Sequence, residues 1–295
     1  MHCVAHSELD DRTDLTYQLF FNDKNNLGDL TKLDSDKLPD FDVMLAGFPC
    51  QAFSIVGKRE GFDDTRGQII YHLVEILKAK ATPYFILENV KGLINHDKGK
   101  TLQSILAVLN EIGYHVYYQV LDSQYYGVPQ MRERVYFVGI REDIVHKPFE
   151  FPPMIDCPPL GNYLIENRDY YFDKNHPTFQ KYLNNKYNNG QYDIEAILQN
   201  DYTVVDWRQS DFRSYQSKTP TLRTGRHGIL YTKNGNLRKL SGYEALLLQG
   251  FPHPLAKKVI DHHLPDSKIL SQAGNAMTVT VIEQLGRQLL SAIAK

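Results

Sequence analysis

The sequence predicts an α/β fold with a second, smaller and loop-rich region. Over roughly the first 150 residues, short apolar strands alternate with helical patterns, as they do in a parallel sheet covered by helices. After the Pro-rich stretch 151–160 the composition changes, with eight Asn and eight Tyr between Asn162 and Ser217 and little periodicity. This second region is therefore predicted to be irregular, and its Asn and Tyr side chains suit base-edge contacts or, equally, a polar surface.

The individual elements follow from apolar spacing and from stop signals. Five apolar residues at 69, 70, 73, 76 and 77 share one face of a helix. A later helix, at 101–112, is expected to end at Gly113. The predicted strands are 41–46, 84–87, 115–121 and 134–140, and the predicted helices are 67–80, 101–112 and 278–294.

Composition indicates a soluble globular protein of the cytoplasm. Of 295 residues, 42% are hydrophobic and 23% charged, and no apolar run approaches the ~18 residues of a membrane span. No basic region followed by an apolar stretch opens the sequence, so no secretory signal is predicted. The three cysteines, Cys3, Cys50 and Cys157, lack the spacing of a zinc site or a disulfide framework.

Charge is distributed unevenly along the chain. The net charge of −2 argues weakly against a nucleic-acid partner. Between Thr219 and Leu240, however, five basic residues occur without any acidic one. Beside the chemistry described next, this segment is better explained by phosphate contacts than by a solvated loop. Its basic residues are Arg223, Arg226, Lys233, Arg238 and Lys239.

Three polar segments stand at strand ends. Cys50 follows an apolar strand within Gly47-Phe48-Pro49-Cys50, Glu88-Asn89-Val90 closes a second strand, and Gln130-Met131-Arg132-Glu133-Arg134 leads into another. A free cysteine is most often a small buried apolar residue. A thiol, a carboxylate and two guanidinium groups at neighbouring strand ends instead indicate a pocket in which a polar ring undergoes nucleophilic attack.

These segments, with Gln272-Ala273-Gly274-Asn275-Ala276-Met277, resemble the DNA (cytosine-5)-methyltransferase family over nearly the whole chain. The segment 42–66 is most similar to bacterial restriction-modification enzymes. The resemblance implies a Rossmann-like S-adenosylmethionine-dependent methyltransferase sheet, here without its first strand. It also implies a catalytic and cofactor-binding domain at 1–150 plus 270–295, and a target-recognition domain at 151–269.

The resemblance assigns catalytic roles by position. Cys50 matches the nucleophile that adds to C6 of a cytosine swung out of the duplex. Glu88 matches the carboxylate that bonds N3 and the exocyclic amine, and Arg134 the arginine that holds O2. Arg132 matches the neighbouring arginine toward the backbone phosphate and the pocket wall. The DNA contacts implied are Gln51, Ser54, Lys58, Arg59, Arg66, Arg223 and Arg226. The segment 55–66, with its glycines and charges, is expected to be a mobile loop that closes over the DNA.

S-adenosylmethionine is the cofactor that the resemblance implies. Glu8 matches the acid that ends a strand of the family fold and binds the ribose hydroxyls, and Leu9 matches the residue against the adenine. Asp29, beside Leu30, matches the acid that meets the adenine amine. Asn275 matches an asparagine near the methionine moiety, and Pro49 belongs to the same cofactor site.

One departure from the family pattern concerns the cofactor loop. The family begins with a strand and a Phe-x-Gly-x-Gly loop, but the 19 glycines here form no Gly-x-Gly, and seven residues precede Glu8. A second polypeptide could supply the strand, the gene could begin upstream, or the chain could be a relic. The expectation is that the chain alone binds S-adenosylmethionine poorly.

The predicted function is methylation of cytosine C5 in a specific duplex sequence. A cognate restriction endonuclease is the expected functional partner. Two alternatives stay open, namely a tRNA cytosine methyltransferase and a catalytically inactive DNA-binding or regulatory subunit. The target sequence is expected to depend on side chains in the region 160–220.

Overall fold

The computed structural model describes residues 2–49, 69–188, 190–207, 212–225 and 228–294. The chain forms two compact units. The first comprises Met1–Leu121, Glu133–Pro153 and Ile282–Lys295, and the second comprises Asp122–Arg132 and Met154–Val281. A target-recognition role for the second unit stays a prediction.

Ten strands and nine α-helices occur in the described residues. The strands are β1 Val43–Gly47, β2 Tyr84–Val90, β3 Tyr114–Asp122, β4 Gln130–Met131, β5 Glu133–Arg141, β6 Val204–Asp206, β7 Arg213–Tyr215, β8 Thr219–Pro220, β9 Ile229–Lys233 and β10 Asn236–Lys239. The helices are α1 Asp11–Phe21, α2 Ile69–Ala79, α3 Lys100–Glu111, α4 Pro177–Leu183, α5 Ile194–Leu198, α6 Gly242–Leu248, α7 His253–Asp261, α8 Asp266–Asn275 and α9 Val279–Ile293.

The sheet of the first unit is mixed, in the order β1-β2-β5-β3. β1 pairs parallel with β2, whereas β5 pairs antiparallel with β2. The fully parallel sheet expected from the sequence is therefore wrong, although the α/β fold class is confirmed. Ten residues, 123–132, separate the neighbouring strands β3 and β5. That connection is too short for the crossover of a dozen or more residues that parallel neighbours require.

The core of the first unit lies between the sheet and α2 and α3. α2 buries Ile70, Leu73, Ile76 and Leu77, the face predicted from their spacing. They join Phe85, Leu87 and Phe137 of the sheet in one cluster. α3 ends before Gly113, whose φ of 85° is left-handed and therefore favours glycine. The predicted helix at 278–294 is confirmed as α9.

The N-terminal segment differs from expectation. A strand ending at Glu8 was expected, but residues 2–10 make only an isolated bridge, between His6 and Asn26. α1 follows at once, and Asp10 caps it by accepting a hydrogen bond from the Thr13 amide at 2.8 Å. The Glu8 carboxylate therefore stands on a short extended segment between this bridge and a capped helix.

The second unit is more regular than the sequence indicates. It contains an antiparallel sheet, β10-β9-β6-β7, and an apolar cluster that includes Phe179, Val205 and Phe212. The strands of this sheet span three to five residues, and the first four residues of β9 are all buried. Such short strands, without alternation of polar and apolar residues, lack the periodicity that predicts a strand. No helix in the described residues is long and apolar enough to cross a membrane.

Candidate active site

The ends of β1 and β2 lie side by side in the first unit. Gly47 is in register with Glu88, and the Phe48 amide donates to the Glu88 carbonyl at 3.4 Å. The Asn89 side chain, 2% exposed, donates through Nδ2 to the Phe48 carbonyl at 2.9 Å. Asn89 therefore fixes the backbone two residues before Cys50. Asn89 had no predicted role, although an amide side chain directly after Glu88 in an apolar strand is a signal of a buried hydrogen bond.

Glu88 and Arg134 form an ion pair within the first unit. Glu88 faces Tyr136 in the β2–β5 register and Val90 faces Arg134, so Glu88 and Arg134 are diagonal neighbours on one sheet face. Arg134 Nε lies 3.0 Å from Glu88 Oε1, and the two side chains are 13% and 10% exposed. The Arg134 Nη1 group also donates to the Glu133 carbonyl at 2.8 Å. Two of the predicted catalytic residues are thus in direct contact.

The second oxygen of Glu88 lies over the end of β1. A Cβ atom built on Gly47 would be 3.5 Å from Glu88 Oε2, an ordinary contact distance. The carboxylate thus has one oxygen on a guanidinium and the other beside the strand that leads to Pro49. This arrangement offers both a charged acceptor and a fixed donor to a polar ring.

Several predicted residues lie outside the described part of the chain. These are the nucleophile candidate Cys50 and the DNA-contact candidates Gln51, Ser54, Lys58, Arg59, Arg66 and Arg226. The expected loop closure at 55–66 falls in the same segment.

The residues predicted to bind the adenosine half of a cofactor are brought together by Asn26. The Glu8 amide donates to Asn26 Oδ1 at 3.0 Å, and Asn26 Nδ2 donates to the Glu8 carbonyl at 3.0 Å. The Gly28 amide also donates to Asn26 Oδ1, at 2.9 Å. The Glu8 segment is therefore held against Gly28-Asp29. Sequence reasoning missed Asn26, although an Asn two residues before a glycine is a typical side-chain turn.

The side chains of this cluster fit an adenosine group. Leu9 is 68% exposed, which leaves an apolar surface available to a ring. Asp29 accepts from the Thr31 hydroxyl at 2.7 Å and the Thr31 amide at 3.0 Å, and these bonds hold the pKa of Asp29 below its usual value. An ionised Asp29 carboxylate can accept a hydrogen bond from the amino group of an adenine ring. Leu30, in contrast, packs against the hydrophobic core.

Arg132 has a different environment from the one expected. It lies in the second unit, is 2% exposed, and donates to the carbonyl oxygens of Leu222, Gly274 and Ala276. A guanidinium so enclosed is not available to a DNA phosphate. The phosphate contact inferred from the resemblance therefore has no support in the described geometry.

Arg223 and Asn275, both exposed, also lie in the second unit. They stand on two segments in direct contact, because the Thr224 hydroxyl bonds both the Ser271 carbonyl at 3.3 Å and Asn275 Oδ1. The predicted DNA-contact residue and the predicted cofactor residue are thus neighbours across that contact.

Comparisons with known proteins identify the family of the chain. The family model described as "C-5 cytosine-specific DNA methylase" matches residues 1–291. The chain is 38% identical to the type II methyltransferase M.NgoBI of Neisseria gonorrhoeae over 284 residues, which cover 95% of this chain and 83% of that protein. It is 34% identical to the type II methyltransferase M.NlaX of Neisseria lactamica over 304 residues, which cover 100% and 90%.

Solved structures share the fold at lower identity. The Schizosaccharomyces pombe Dnmt2 methyltransferase has a TM-score of 0.69 at 19% identity, covering 98% of this chain and 91% of that one. The Entamoeba histolytica methyltransferase EhMeth has a TM-score of 0.71 at 18% identity, covering 99% and 90%. From the family match and the curated relatives, this chain belongs to the C-5 cytosine-specific DNA methylases, enzymes that use S-adenosylmethionine.

Proposed function

We propose that the chain methylates C5 of a cytosine extruded from duplex DNA, through a transient bond between the Cys50 sulfur and C6. The observation that carries the proposal is the Glu88–Arg134 ion pair, 3.0 Å long, beside the strand end that leads to Pro49 and Cys50. A reactive thiol at this place would attack a ring whose far side meets a carboxylate and a guanidinium.

The electron flow gives each residue a task. As the Cys50 thiolate adds to C6, a C–S bond forms and the electrons of the C5–C6 double bond move toward N3, O2 and C5. Glu88 bonds N3 and the exocyclic amine, with one proton shared, and Arg134 holds O2. S-adenosylmethionine, when bound, would supply the methyl group that C5 takes up, with S-adenosylhomocysteine as the leaving group. A base then removes the C5 proton, the C5–C6 double bond returns, and the thiolate leaves.

We assign the adenosine half of the cofactor to the Asn26-organised cluster. In this proposal Glu8 accepts from the ribose hydroxyls, Asp29 accepts from the adenine amine, and Leu9 lies against the ring. Pro49 and Asn275 serve the methionine end. Leu30 has a packing task behind Asp29, which its place against the core supports.

The DNA side of the proposal has two parts. Gln51 and Ser54 contact the strand beside the extruded nucleotide, and Lys58, Arg59 and Arg66 lie on a loop that closes over it. Arg223 and Arg226 grip phosphates, and the exposure of Arg223 supports this role. Side chains of the second unit would read the target sequence. We expect the enzyme to act on the host's DNA in the cytoplasm. A cognate restriction endonuclease is the proposed functional partner.

The partner expected from the sequence, a second polypeptide with a Phe-x-Gly-x-Gly strand, stays part of the proposal. What supports it is the edge of the sheet. Asp42 accepts from the Tyr84 amide and Phe48 donates to the Glu88 carbonyl, so the peptide groups of Val43, Leu45 and Gly47 point away from β2. Among the described residues β1 is the last strand on that side, and Leu45 is 45% exposed there. An apolar open edge can accept another strand.

Covalent trapping tests the function. A duplex with 5-fluorocytosine at its target should capture the protein in the presence of S-adenosylmethionine, because fluorine cannot leave as a proton does. Cys50→Ser should abolish the adduct, and Cys157→Ser, which changes another free thiol, should retain it. Because the target sequence is unknown, a pool of fluorinated duplexes is the probe. The assay is run with and without a partner polypeptide that carries the Phe-x-Gly-x-Gly strand.

The outcomes of the trapping separate the alternatives. Capture of the Cys50→Ser variant refutes the proposed nucleophile, and capture only on fluorinated tRNA supports the tRNA reading. Binding of duplex DNA without any capture, with the partner present, supports the inactive subunit. The names of the curated relatives, type II methyltransferases, favour duplex DNA.

A further inference from the structure

A buried polar network holds together two segments of the second unit that are far apart in sequence. At its centre are Gln130 and Arg132, which are 0% and 2% exposed. Buried polar side chains of this size are costly unless they are hydrogen-bonded. Their partners therefore indicate what they do.

Arg132 joins one loop to one helix end. Its Nη1 donates to the Leu222 carbonyl at 3.3 Å and to the Gly274 carbonyl at 3.2 Å, and its Nη2 donates to the Ala276 carbonyl at 2.9 Å. A planar guanidinium can reach several acceptors at once, whereas the compact ammonium group of a lysine cannot reproduce this spread. All of these acceptors are backbone oxygens, so the bonds fix chain positions.

Gln130 binds the same loop through the backbone amide of Leu222, whereas Arg132 binds the Leu222 carbonyl. Its Oε1 accepts from the Leu222 amide at 3.1 Å, and its Nε2 donates to the Leu248 carbonyl at 2.9 Å. Both polar groups of the Leu222 backbone are thus bound by the side chains of the Gln130–Arg132 segment. Leu222 lies just after β8 and directly before Arg223. In the described residues it belongs to no strand.

The two segments approach as closely as their backbones allow. A Cβ atom on Gly274 would lie 2.6 Å from the Arg223 carbonyl carbon and 2.6 Å from the Thr224 nitrogen. Contacts of that length between a side chain and backbone do not occur, so glycine is required. Arg223 and Asn275 are exposed on either side of this contact.

We infer that Arg132 is a positioning residue that joins the DNA-contact loop at Arg223 to the helix end at Asn275, and that it acts on DNA only through Arg223. The inference rests on the proposed function for the roles of Arg223 and Asn275. It differs from the expected phosphate contact of Arg132 itself. It also explains why the two arginines of Gln130–Arg134 differ in task, since Arg134 pairs with Glu88 in the first unit.

A double-mutant cycle on DNA affinity tests this. The affinity of the full chain for duplex DNA is measured by fluorescence anisotropy over a range of salt for Arg132→Met, Arg223→Ala and the double variant. Loss of one phosphate contact weakens binding by about tenfold and lowers the salt slope by about 1. If Arg132 is a positioning residue, the double variant should bind DNA no more weakly than Arg223→Ala. The salt dependence of its affinity should be no smaller than that of Arg223→Ala. Lys257→Met, which removes an exposed cation of the same unit, is the charge control.

Additive losses overturn the inference, since a slope lowered by about 2 in the double variant means that Arg132 meets a phosphate itself. If Arg223→Ala leaves DNA binding unchanged, the proposed contact of Arg223 fails, and hydrogen exchange then decides the positioning role. Arg132→Met should raise amide exchange in peptides that cover 219–225 and 272–278 but not in α2. Unchanged exchange there refutes the role, and Arg132→Lys, which keeps the charge, should show the same loosening if geometry is what matters.

Discussion

Glu88 and Arg134 show how two side chains from different strands form one electrostatic unit. Each is nearly buried, and their contact is prepared by the β2–β5 register rather than by sequence neighbours. A preformed pair needs no reorganisation when charge develops on a bound ring, which is the condition under which electrostatic stabilisation is most effective.

Replacement of the carboxylate at this pair should remove catalysis while the fold remains. We expect Glu88→Gln to slow methyl transfer by about 100- to 1,000-fold, because an amide cannot share a proton with N3 as a carboxylate can. The measurement is the initial rate of tritiated methyl transfer to duplex DNA, with anisotropy to check that DNA still binds.

Glu133→Gln is the matched control. Glu133 lies on β5 next to Arg134 but is half exposed, and its 2.6 Å ion pair with Lys91 is on the surface. Exposed ion pairs contribute little, about 0–1 kcal/mol, so the rate should stay within about twofold. Equal losses in both variants would contradict the special role of Glu88.

Individual elements depend on buried acids and close contacts that their own sequences do not reveal. α6 begins with a capping box in which Ser241 and Glu244 bond each other's backbone. Glu244 is fully buried and also accepts from the Glu166 amide at 3.0 Å and the Tyr231 hydroxyl at 2.8 Å. The cap of one helix is thus also a junction of three segments.

Glu244 should make the stability of the chain depend on pH. Burial raises the pKa of Glu244 above its ordinary 4.5, against hydrogen bonds from Ser241, the Glu166 amide and Tyr231 that lower it. Its contribution to the free energy of unfolding is therefore fully present below pH 4.5 and is lost as pH rises through the higher pKa of the folded state. Urea titrations from pH 4.5 upward should show that the free energy of unfolding falls less with rising pH in Glu244→Gln than in the unchanged protein. The same pH dependence of the free energy of unfolding in Glu244→Gln as in the unchanged protein would contradict this. An equal reduction of that dependence in the control Glu283→Gln, at an exposed site, would contradict it as well.

Gly274 should tolerate no side chain. Gly274→Ala forces a methyl group against the backbone at Arg223 and Thr224, and overpacking of this kind costs about 1–3 kcal/mol. Gly92→Ala is the control, because nothing lies within 4 Å of a Cβ atom there. The free energy of unfolding from urea titration should fall in the first variant and stay within about 0.5 kcal/mol in the second. Equal stability of the two variants would argue that the segments are free to move apart.

Among the described residues, β1 is an edge strand of the first unit's sheet, and the proposed partner polypeptide would pair with it. We expect Leu45→Lys to prevent association with a polypeptide that supplies the proposed strand, because an exposed edge with a lysine resists pairing. Leu290→Lys, at another exposed leucine of the first unit, should leave association intact.

Two measurements check this prediction. Association is measured by analytical ultracentrifugation of the mixed chains, and cofactor affinity by calorimetry. Tight, micromolar binding of S-adenosylmethionine by the chain alone would contradict the need for a partner.

Local signals in the sequence predicted the fold class, the family and the location of the helices α2, α3 and α9. Their apolar residues repeat at helical spacing over more than ten positions, and this signal is local. It also identified Glu88 and Arg134, because each stands in a short segment whose residue types already suggest the chemistry.

The other features depend on contacts between residues that are far apart in the chain. The antiparallel pairing of β5, the sheet of short strands in the second unit and the tasks of Asn26, Asn89 and Gln130 depend on contacts across 18 to 118 residues of sequence. Arg132 is the clearest case, since its partners Leu222 and Gly274 lie 90 and 142 residues away. A motif records which side chains are present. Whether a guanidinium meets a phosphate or three backbone carbonyls is set by what the fold packs around it.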